Sequence, residues 1–521
     1  MAPNDPLPVK RIGIVGAGSM GSMMALGFSE IGLDISIWDI SSEHVKTALS
    51  NKPEGGPDDH GKIDGFTEIS EFADSLKNED LKVLVFSITH GPAADEVIEK
   101  MSDYLGDGYI ILDGGNEHYR NTERRQRELS KKGVIWIGMG VSGGYQSARR
   151  GPSMSPGGDK EAIQKVLPLL ERFAAKAPSP EDTKESPCVA YIGPRGAGHF
   201  VKMMHNGIEN GMLSTLCEAW GIMKYNLEMG NDEIGKVFEG WNEEGSLKGT
   251  FLIQIGSEVC QRKKTPKGDE KGEGKGHGGY VLDDVLDKVV QDDDSSEGTG
   301  FWSVMEAAER HVSAPTIAAG QFLRYASGER AERLKVAEGL QMPSPRKADV
   351  QDQEAFIEEL RKAVYASFLC AFCQGLEIIS KASRDEEWEV DLTTCIQIWR
   401  EGCIIQSSQI ADRLEASLAA EHNSKEITNM KLLKPVSQAL SLHFPALKSV
   451  VLKATEWDAV IPSLSASLDY LKYCGGTALP TQFMEAEMDF FGAHGYDEPH
   501  VEGEDPGKAS KGRHHYEWRP A

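Results

Sequence analysis

Over roughly the first 190 residues, short apolar runs alternate with amphipathic stretches. RIGIVG, DISIWD, LKVLVFSI, YIILDGG and VIWIGMG read as strands, separated by helical segments such as SMMALGFSEIG and NTERRQRELSKKG. Strands that alternate with helices predict a parallel sheet covered on its faces by those helices. From Gly198 onward the period lengthens, and 200–229, 354–381 and 392–419 read as long helices of an all-α domain. The loops NKPEGGPDDHGKIDG (51–65) and RKKTPKGDEKGEGKGHGG (262–279) interrupt this order. The residues after LPTQFMEAEMDFFGAHGY are polar and irregular, a tail that stays ordered only where another surface holds it.

One helical stretch breaks the apolar pattern. In GHFVKMMHNGIENGML (198–213), Lys202, His205, Asn206 and Glu209 stand among phenylalanine, valine and methionine. At ~3.6 residues per turn, steps of three, four and seven place all four on one face. Burying an ammonium and a carboxylate unpaired costs several kcal/mol, so these groups satisfy one another or line a cleft.

Composition narrows the classes. At 521 residues the chain exceeds what one core organises, and 40% hydrophobic residues suffice for large cores. With 56 basic against 81 acidic residues, the formal charge of −25 argues against nucleic acid or an anionic membrane as partner. No stretch reads as a signal peptide or approaches the ~20 apolar residues of a spanning helix, so a cytosolic location is expected. Cys370 and Cys373, the tight pair among eight cysteines, lie in a helical apolar run and read as core; the fourteen histidines show no ligand spacing, and no metal is expected.

Gly16-Ala17-Gly18-Ser19-Met20-Gly21 follows a strand and opens a helix, the context in which a G-x-G-x-x-G turn cradles a pyrophosphate at a helix N-terminus. The next strand ends in Asp39, where a carboxylate accepts from the adenosine ribose and repels a 2′-phosphate. These features predict a dinucleotide-binding, doubly wound sheet that prefers NAD to NADP.

The ordered series IILDGGNEHYRNTERRQREL, GVSGG (140–144), GPSMSPGG (151–158), YIGPRGAGHFVKMMHNGIENGM, EGTGFW (297–302), IWREGCIIQS (398–407) and LPTQFMEAEMDFFGAH resembles the 6-phosphogluconate dehydrogenase family along most of the chain. The resemblance implies a Rossmann-like coenzyme domain (1–197), a helical substrate and dimerisation domain (198–480), and a tail (481–521) that reaches the partner subunit's active site. It implies Lys202 as the base on the substrate C3 hydroxyl and Glu209 as the acid that protonates C1 after carbon dioxide leaves. Asn206 and His205 would hold sugar hydroxyls, with Asn116 and the Ser142-Gly143-Gly144 turn on the carboxylate side. Gly16, Gly18, Ser19, Met20, Gly21, Asp39, Ile40 and Asn116 would face the coenzyme. The chemistry suits these types, since a desolvated lysine works as a base near neutrality and a buried glutamate keeps its proton.

The chain departs from the family pattern at both ends of the ligands. Asp39-Ile40-Ser41 replaces the family's Asn-Arg-Ser/Thr run, and FSITHGPAAD lacks its cofactor-facing lysine, which supports NAD. Around the substrate's far end the phosphate-gripping positions read Asn210, Phe301, Met488 and Arg324, with His494 beside them. Losing charge-assisted donors worth about 1.5 to 3 kcal/mol each weakens phosphate binding by orders of magnitude. The expectation is therefore an aldonic acid such as gluconate, or one with another terminal group, oxidised by a homodimer. Alternatives are 6-phosphogluconate held by relocated charge from Arg262, Lys263, Lys264 and Lys267, a non-decarboxylating β-hydroxyacid dehydrogenase, or a silent binding paralogue. The non-decarboxylating class lacks an acid at the place of Glu209.

Overall fold

The computed structural model describes residues 7–51, 53, 60–178, 185–264, 279–289, 298–420 and 427–519. Seven strands, β1 (Arg11–Val15), β2 (Asp34–Trp38), β3 (Ile63–Phe66), β4 (Lys82–Phe86), β5 (Tyr109–Asp113), β6 (Ile135–Val141) and β7 (Met154–Gly157), form one sheet in the order β3-β2-β1-β4-β5-β6-β7. All neighbours are parallel except β6 and β7. Five strands coincide with the apolar runs read from the sequence. β3 lies at the end of the polar loop 51–65, its four residues only half-buried, and β7 is the proline- and glycine-containing MSPG, so neither shows an apolar alternation.

Both sheet faces are packed, as a parallel sheet requires. Ile12, Ile14, Ile35 and Val85 meet Met24 and Phe28 of α1 (Ser19–Glu30) and Phe173. On the other face Leu84, Phe86 and Ile111 meet Phe72 and Trp136. The order reverses between β1 and β4, which opens a crevice at the carboxyl ends of the strands. α2 (Ser42–Ser50) follows β2, its first turn capped by Ser41, whose Oγ accepts from His44 N.

Downstream the chain is helical. α3 (Ala197–Gly221) carries the polar stripe and continues into a π-helical turn, Ile222–Asn226. α4 (Thr299–Glu309) and α5 (Pro315–Gly328) pack on α3, and so does α6 (Gln353–Asp385), a 33-residue helix whose other side meets Lys434–Glu456. Asp352 caps α6 by accepting from Ala355 N. By length and composition α6 could span a bilayer, with mean hydropathy 1.5 over its most apolar window, but that window is buried inside the protein. The stretch read as one helix over 392–419 is two, Leu392–Ile398 and Ser408–Ala419, because residues 399–407 turn back against the sheet domain.

The chain divides into two compact units, Met1–Leu468 and Asp469–Ala521. In the second, the helix Thr481–Gly492 presents Asp489, whose buried carboxylate accepts from Gly495 N, His515 Nδ1, Tyr516 N and Trp518 Nε1. Those hydrogen bonds hold Asp489 well below the usual carboxylate range despite the opposing effect of burial. Phe483, Met484 and Phe491 of the same helix are exposed.

Candidate active site

The coenzyme side is built on the turn after β1. Gly16 has φ +103°, and a Cβ there would lie 2.3 Å from Ser87 O; a Cβ on Gly21 would lie 1.9 Å from Gly16 O. These two glycines shape the turn, whereas a Cβ at Gly18 would meet nothing within 4 Å and would project into open space. Gly16, Gly18, Ser19, Met20, Asp39, Ile40 and Asn116 line a cleft of about 920 Å3. Asp39, 9% exposed, accepts from Ala17 N and from Ser41 N, both at 2.8 Å, so its carboxylate is locked against the glycine turn. A pyrophosphate at the turn and a ribose at Asp39 fit these groups.

The substrate side is fixed by contact of α3 with the sheet. A Cβ on Gly198 would lie 2.3 Å from both Gly138 O and Ser155 O, and one on Gly140 would lie 2.2 Å from Lys202 Cβ. Ser155 Oγ donates to Gly198 O at 3.0 Å. His199, next in the chain, bonds Asp113 O and Thr122 Oγ1. Glycine on both sides thus allows the first turns of α3 to touch the sheet backbone and aims Lys202 along it.

The four stripe residues come together. Lys202 Nζ donates to Asn206 Oδ1 at 2.8 Å and to Ser142 Oγ at 3.0 Å. His205 Nδ1 stands 3.0 Å from Asn206 Oδ1 and 3.7 Å from Glu209 Oε2. Burial pushes the Lys202 ammonium below its ordinary value, an effect that Glu209 partly offsets. Burial raises Glu209, opposed by Lys202 and Arg324, and holds His205 well below its ordinary value, reinforced by Lys202. Both shifts favour the uncharged forms, an amine that can take a proton and an acid that can give one, on one helix face.

Sequence reasoning passed over the supports. Asn206 Nδ2 donates to Thr299 Oγ1 at 3.0 Å, and Thr299 lines the coenzyme cleft. Trp302, on the same helix α4, meets the rings of His90 and His118 edge-on. Under the Ser142-Gly143-Gly144 turn runs the segment after Ile398: Ser153 N donates to Gly402 O and Ser153 Oγ to Ile398 O, while Gly143, with φ +99°, leaves no room for a Cβ beside Gly402 O. The loop bearing Asn116 is anchored by the buried pair Arg125 and Glu117, 2.6 Å apart, with Glu117 also accepting from Gly91 N. Thr299 and the segment after Ile398 are far away in sequence from the residues they support, so no local periodicity marks them.

Toward the far end of the stripe, Asn210 is buried between helices. Its Nδ2 donates to Gln321 Oε1 at 2.8 Å and its Oδ1 accepts from Arg324 at 3.0 Å. Asn210 and Arg324 line a second cavity of about 640 Å3 that runs past Trp220, Val285 and Leu286. Phe301 is 47% exposed on α4. Met488 and His494 belong to the second compact unit. In the basic loop, Lys263 pairs with Asp232 and Lys264 with Asp284, whereas Lys267 lies outside the described residues. Among the described residues, no group of three or more His, Cys, Asp or Glu is arranged to hold a metal ion.

Comparison with known sequences assigns both parts of this arrangement. Residues 11–193 match the NAD binding domain of 6-phosphogluconate dehydrogenase, and residues 198–518 match the 6-phosphogluconate dehydrogenase C-terminal domain. The chain belongs to the 6-phosphogluconate dehydrogenase family. Within the family, "6-phosphogluconate dehydrogenase, decarboxylating" of Emericella nidulans is 58% identical over 505 residues, covering 96% of this chain and 100% of the relative. The "6-phosphogluconate dehydrogenase, decarboxylating 1" of Spinacia oleracea is 35% identical over 499 residues, covering 95% and 97%. A solved Plasmodium falciparum 6-phosphogluconate dehydrogenase, described with its cofactor NADP+ and its substrate 6-phosphogluconate, superposes with a TM-score of 0.81 at 31% identity, covering 95% of this chain and 98% of that one. The family membership makes this chain an oxidoreductase of the decarboxylating type, with a nicotinamide-dinucleotide-binding domain at its N-terminal side.

Proposed function

We propose that this chain oxidatively decarboxylates a 3-hydroxy aldonic acid of the 6-phosphogluconate class, using NAD, in the cytosol. The carrying observation is the hydrogen-bonded chain Thr299, Asn206, Lys202, Ser142, which ties a wall of the coenzyme cleft to a desolvated lysine. Bound in the cleft, the nicotinamide would accept the hydride from C3. Lys202, acting as its neutral amine, takes the C3 hydroxyl proton and returns it to the C3 oxygen as the resulting 3-keto acid loses its carboxylate as carbon dioxide, so that the electrons of the broken bond are held in an enediol. Glu209, its pKa raised by burial, delivers a proton to the former C2, which becomes C1 of the ketopentose, as Lys202 takes back the proton of the enediol hydroxyl. Asn206 and His205 orient the sugar hydroxyls, and Asn116 with Ser142, Gly143 and Gly144 receives the carboxylate end.

Two observations bear on the ligands' ends. Asp39, fixed by two backbone donors at the end of the second strand, would repel a 2′-phosphate bound beside it, which supports NAD although the Plasmodium falciparum enzyme is described with NADP+. At the substrate's far end, Arg324 is engaged by Asn210, and Phe301 stands where the resemblance implies a lysine. This favours a second reading in which gluconate, or an aldonate with another uncharged end, is the better substrate. We further propose the division 1–197, 198–480 and 481–521, and a homodimer whose tails, bearing Met488 and His494, complete each other's sites.

Carbon dioxide release and coenzyme reduction with 6-phosphogluconate and gluconate, each with NAD and NADP, test this reading. A best rate with NADP removes the coenzyme proposal, and coenzyme reduction without carbon dioxide release removes the decarboxylating mechanism.

A further inference from the structure

The residue beside Asp39 has no part in the chemistry above. His44 occupies the first turn of α2, where its backbone N–H donates to the capping Ser41 Oγ. Its Nδ1 stands 3.4 Å from Asp39 Oδ1, and its side chain is more than half exposed. Asp39 itself cannot turn away, because Ala17 N and Ser41 N hold one oxygen each. The imidazole lines the cleft with Asp39 and Ile40, beside a carboxylate that is itself held in place.

The charges around it make that place consequential. Among the described residues that line the cleft, the carboxylates of Asp39 and Glu96 are accompanied by one ammonium, Lys100, and His44 lies on the same lining beside Asp39. A dianionic 2′-phosphate meets repulsion there that one added fixed cation would cancel, whereas a ribose hydroxyl needs only hydrogen-bonding groups.

We propose that His44 is a coenzyme-selecting residue, contacting the adenosine ribose beside Asp39 and keeping the 2′ position free of a permanent positive charge. The inference rests on the reading of this cleft as the coenzyme site. An imidazole contributes a ribose contact through its ring nitrogens, and a lysine at the same position supplies the cation that a 2′-phosphate requires.

The test compares the wild-type chain with His44→Ala and His44→Lys, measuring kcat and KM for NAD and for NADP with whichever aldonate proves the better substrate. His44→Ala is expected to raise the KM for NAD at least ~3-fold with little change in kcat, as loss of a ground-state contact does. His44→Lys is expected to move the NADP-to-NAD ratio of kcat/KM at least ~10-fold toward NADP, since one charge-assisted contact is worth that much. A ratio that stays within twofold of wild type in the lysine variant overturns the proposal, as does an unaltered KM for NAD in the alanine variant. The wild-type ratio separately tests the NAD preference, so a wild-type enzyme favouring NADP would defeat that preference while the variants still decide the role of His44. Thermal melting of each variant shows whether the fold is retained, and His44→Gln, which keeps a hydrogen-bonding side chain without a permanent charge, should stay near wild type in its ratio.

Discussion

Lys202 Nζ and Asn206 Oδ1 lie 2.8 Å apart, one turn from each other on the same helix, and the other end of that amide is held by Thr299. The amide is thereby oriented with its oxygen toward the lysine, and with Ser142 Oγ it gives the amine two acceptors that set its direction. If Lys202 is the base and Glu209 the acid, as proposed, Lys202→Met and Glu209→Gln are each expected to lower kcat by at least ~100-fold, the scale for a general base or acid. Steady-state rates near wild type in either variant would remove that residue from the mechanism.

The pH profile follows from the opposite displacements of the pair. Lys202, lowered by burial, becomes an effective base as pH rises through its shifted value, so the rate climbs on the acid side. Glu209, raised by burial, remains an acid only below its own shifted value, so the rate falls on the alkaline side. The two interact, and the limbs of the resulting bell belong to the pair. Measured as log kcat against pH, the residual activity of Glu209→Gln should lose the alkaline limb; an unaltered bell would assign that limb elsewhere.

Two glycines in the site should respond in contrasting ways. Gly140→Ala places a methyl 2.2 Å from Lys202 Cβ, with Ser155 Oγ at 2.6 Å, so either the helix moves or the lysine does. A loss of about 1 to 3 kcal/mol in unfolding free energy, typical of overpacking, should accompany at least ~10-fold lower kcat. Gly18 has φ −68° and open space at its Cβ position, so Gly18→Ala should unfold at the wild-type urea midpoint while raising the coenzyme KM. Equal behaviour of the two variants in both assays would contradict the geometry.

Glu218 supplies a stability signal separate from catalysis. It accepts from Ser214 Oγ and from Ser463 N and Leu464 N at the start of the helix Pro462–Cys474, and burial pushes it up to about 7 against those donors. Between the ordinary carboxylate value and 7 the folded chain keeps a proton that the unfolded chain releases. Stability from this group therefore declines as pH rises through that window, by up to about 3 kcal/mol, and levels off above it. Urea unfolding at several pH values should show a slope across that interval in the wild type that is smaller in Glu218→Gln; identical slopes would locate the proton elsewhere.

How much of this was legible in the chain depended on whether the signal was local. β1, β2, β4, β5 and β6 announce themselves because each is a short, mostly apolar run buried on both faces. The stripe on α3 is legible because its members are three and four residues apart. β3 is hidden because its residues are only half-buried, and the break at 399–407 because its cause is contact with Gly143 and Ser153, some 250 residues earlier. Thr299 is 93 positions from Asn206. Asn210 follows Glu209 in sequence, yet its amide is taken up by Gln321 and Arg324 from α5, a helix whose neighbour on α3 no pattern specifies.

The meeting of Gly138, Gly140 and Gly157 with Gly198 and Lys202 makes the strand edge and the opening turns of α3 a single bracket, joined main chain to main chain. Because a Cβ on any of these glycines would overlap the facing atoms, the spacing between strand and helix tolerates little change there. Change of substrate is free to accumulate past Glu209, where helices meet through side chains. A descendant of this fold could thus acquire a new sugar acid without recalibrating the step that oxidises it.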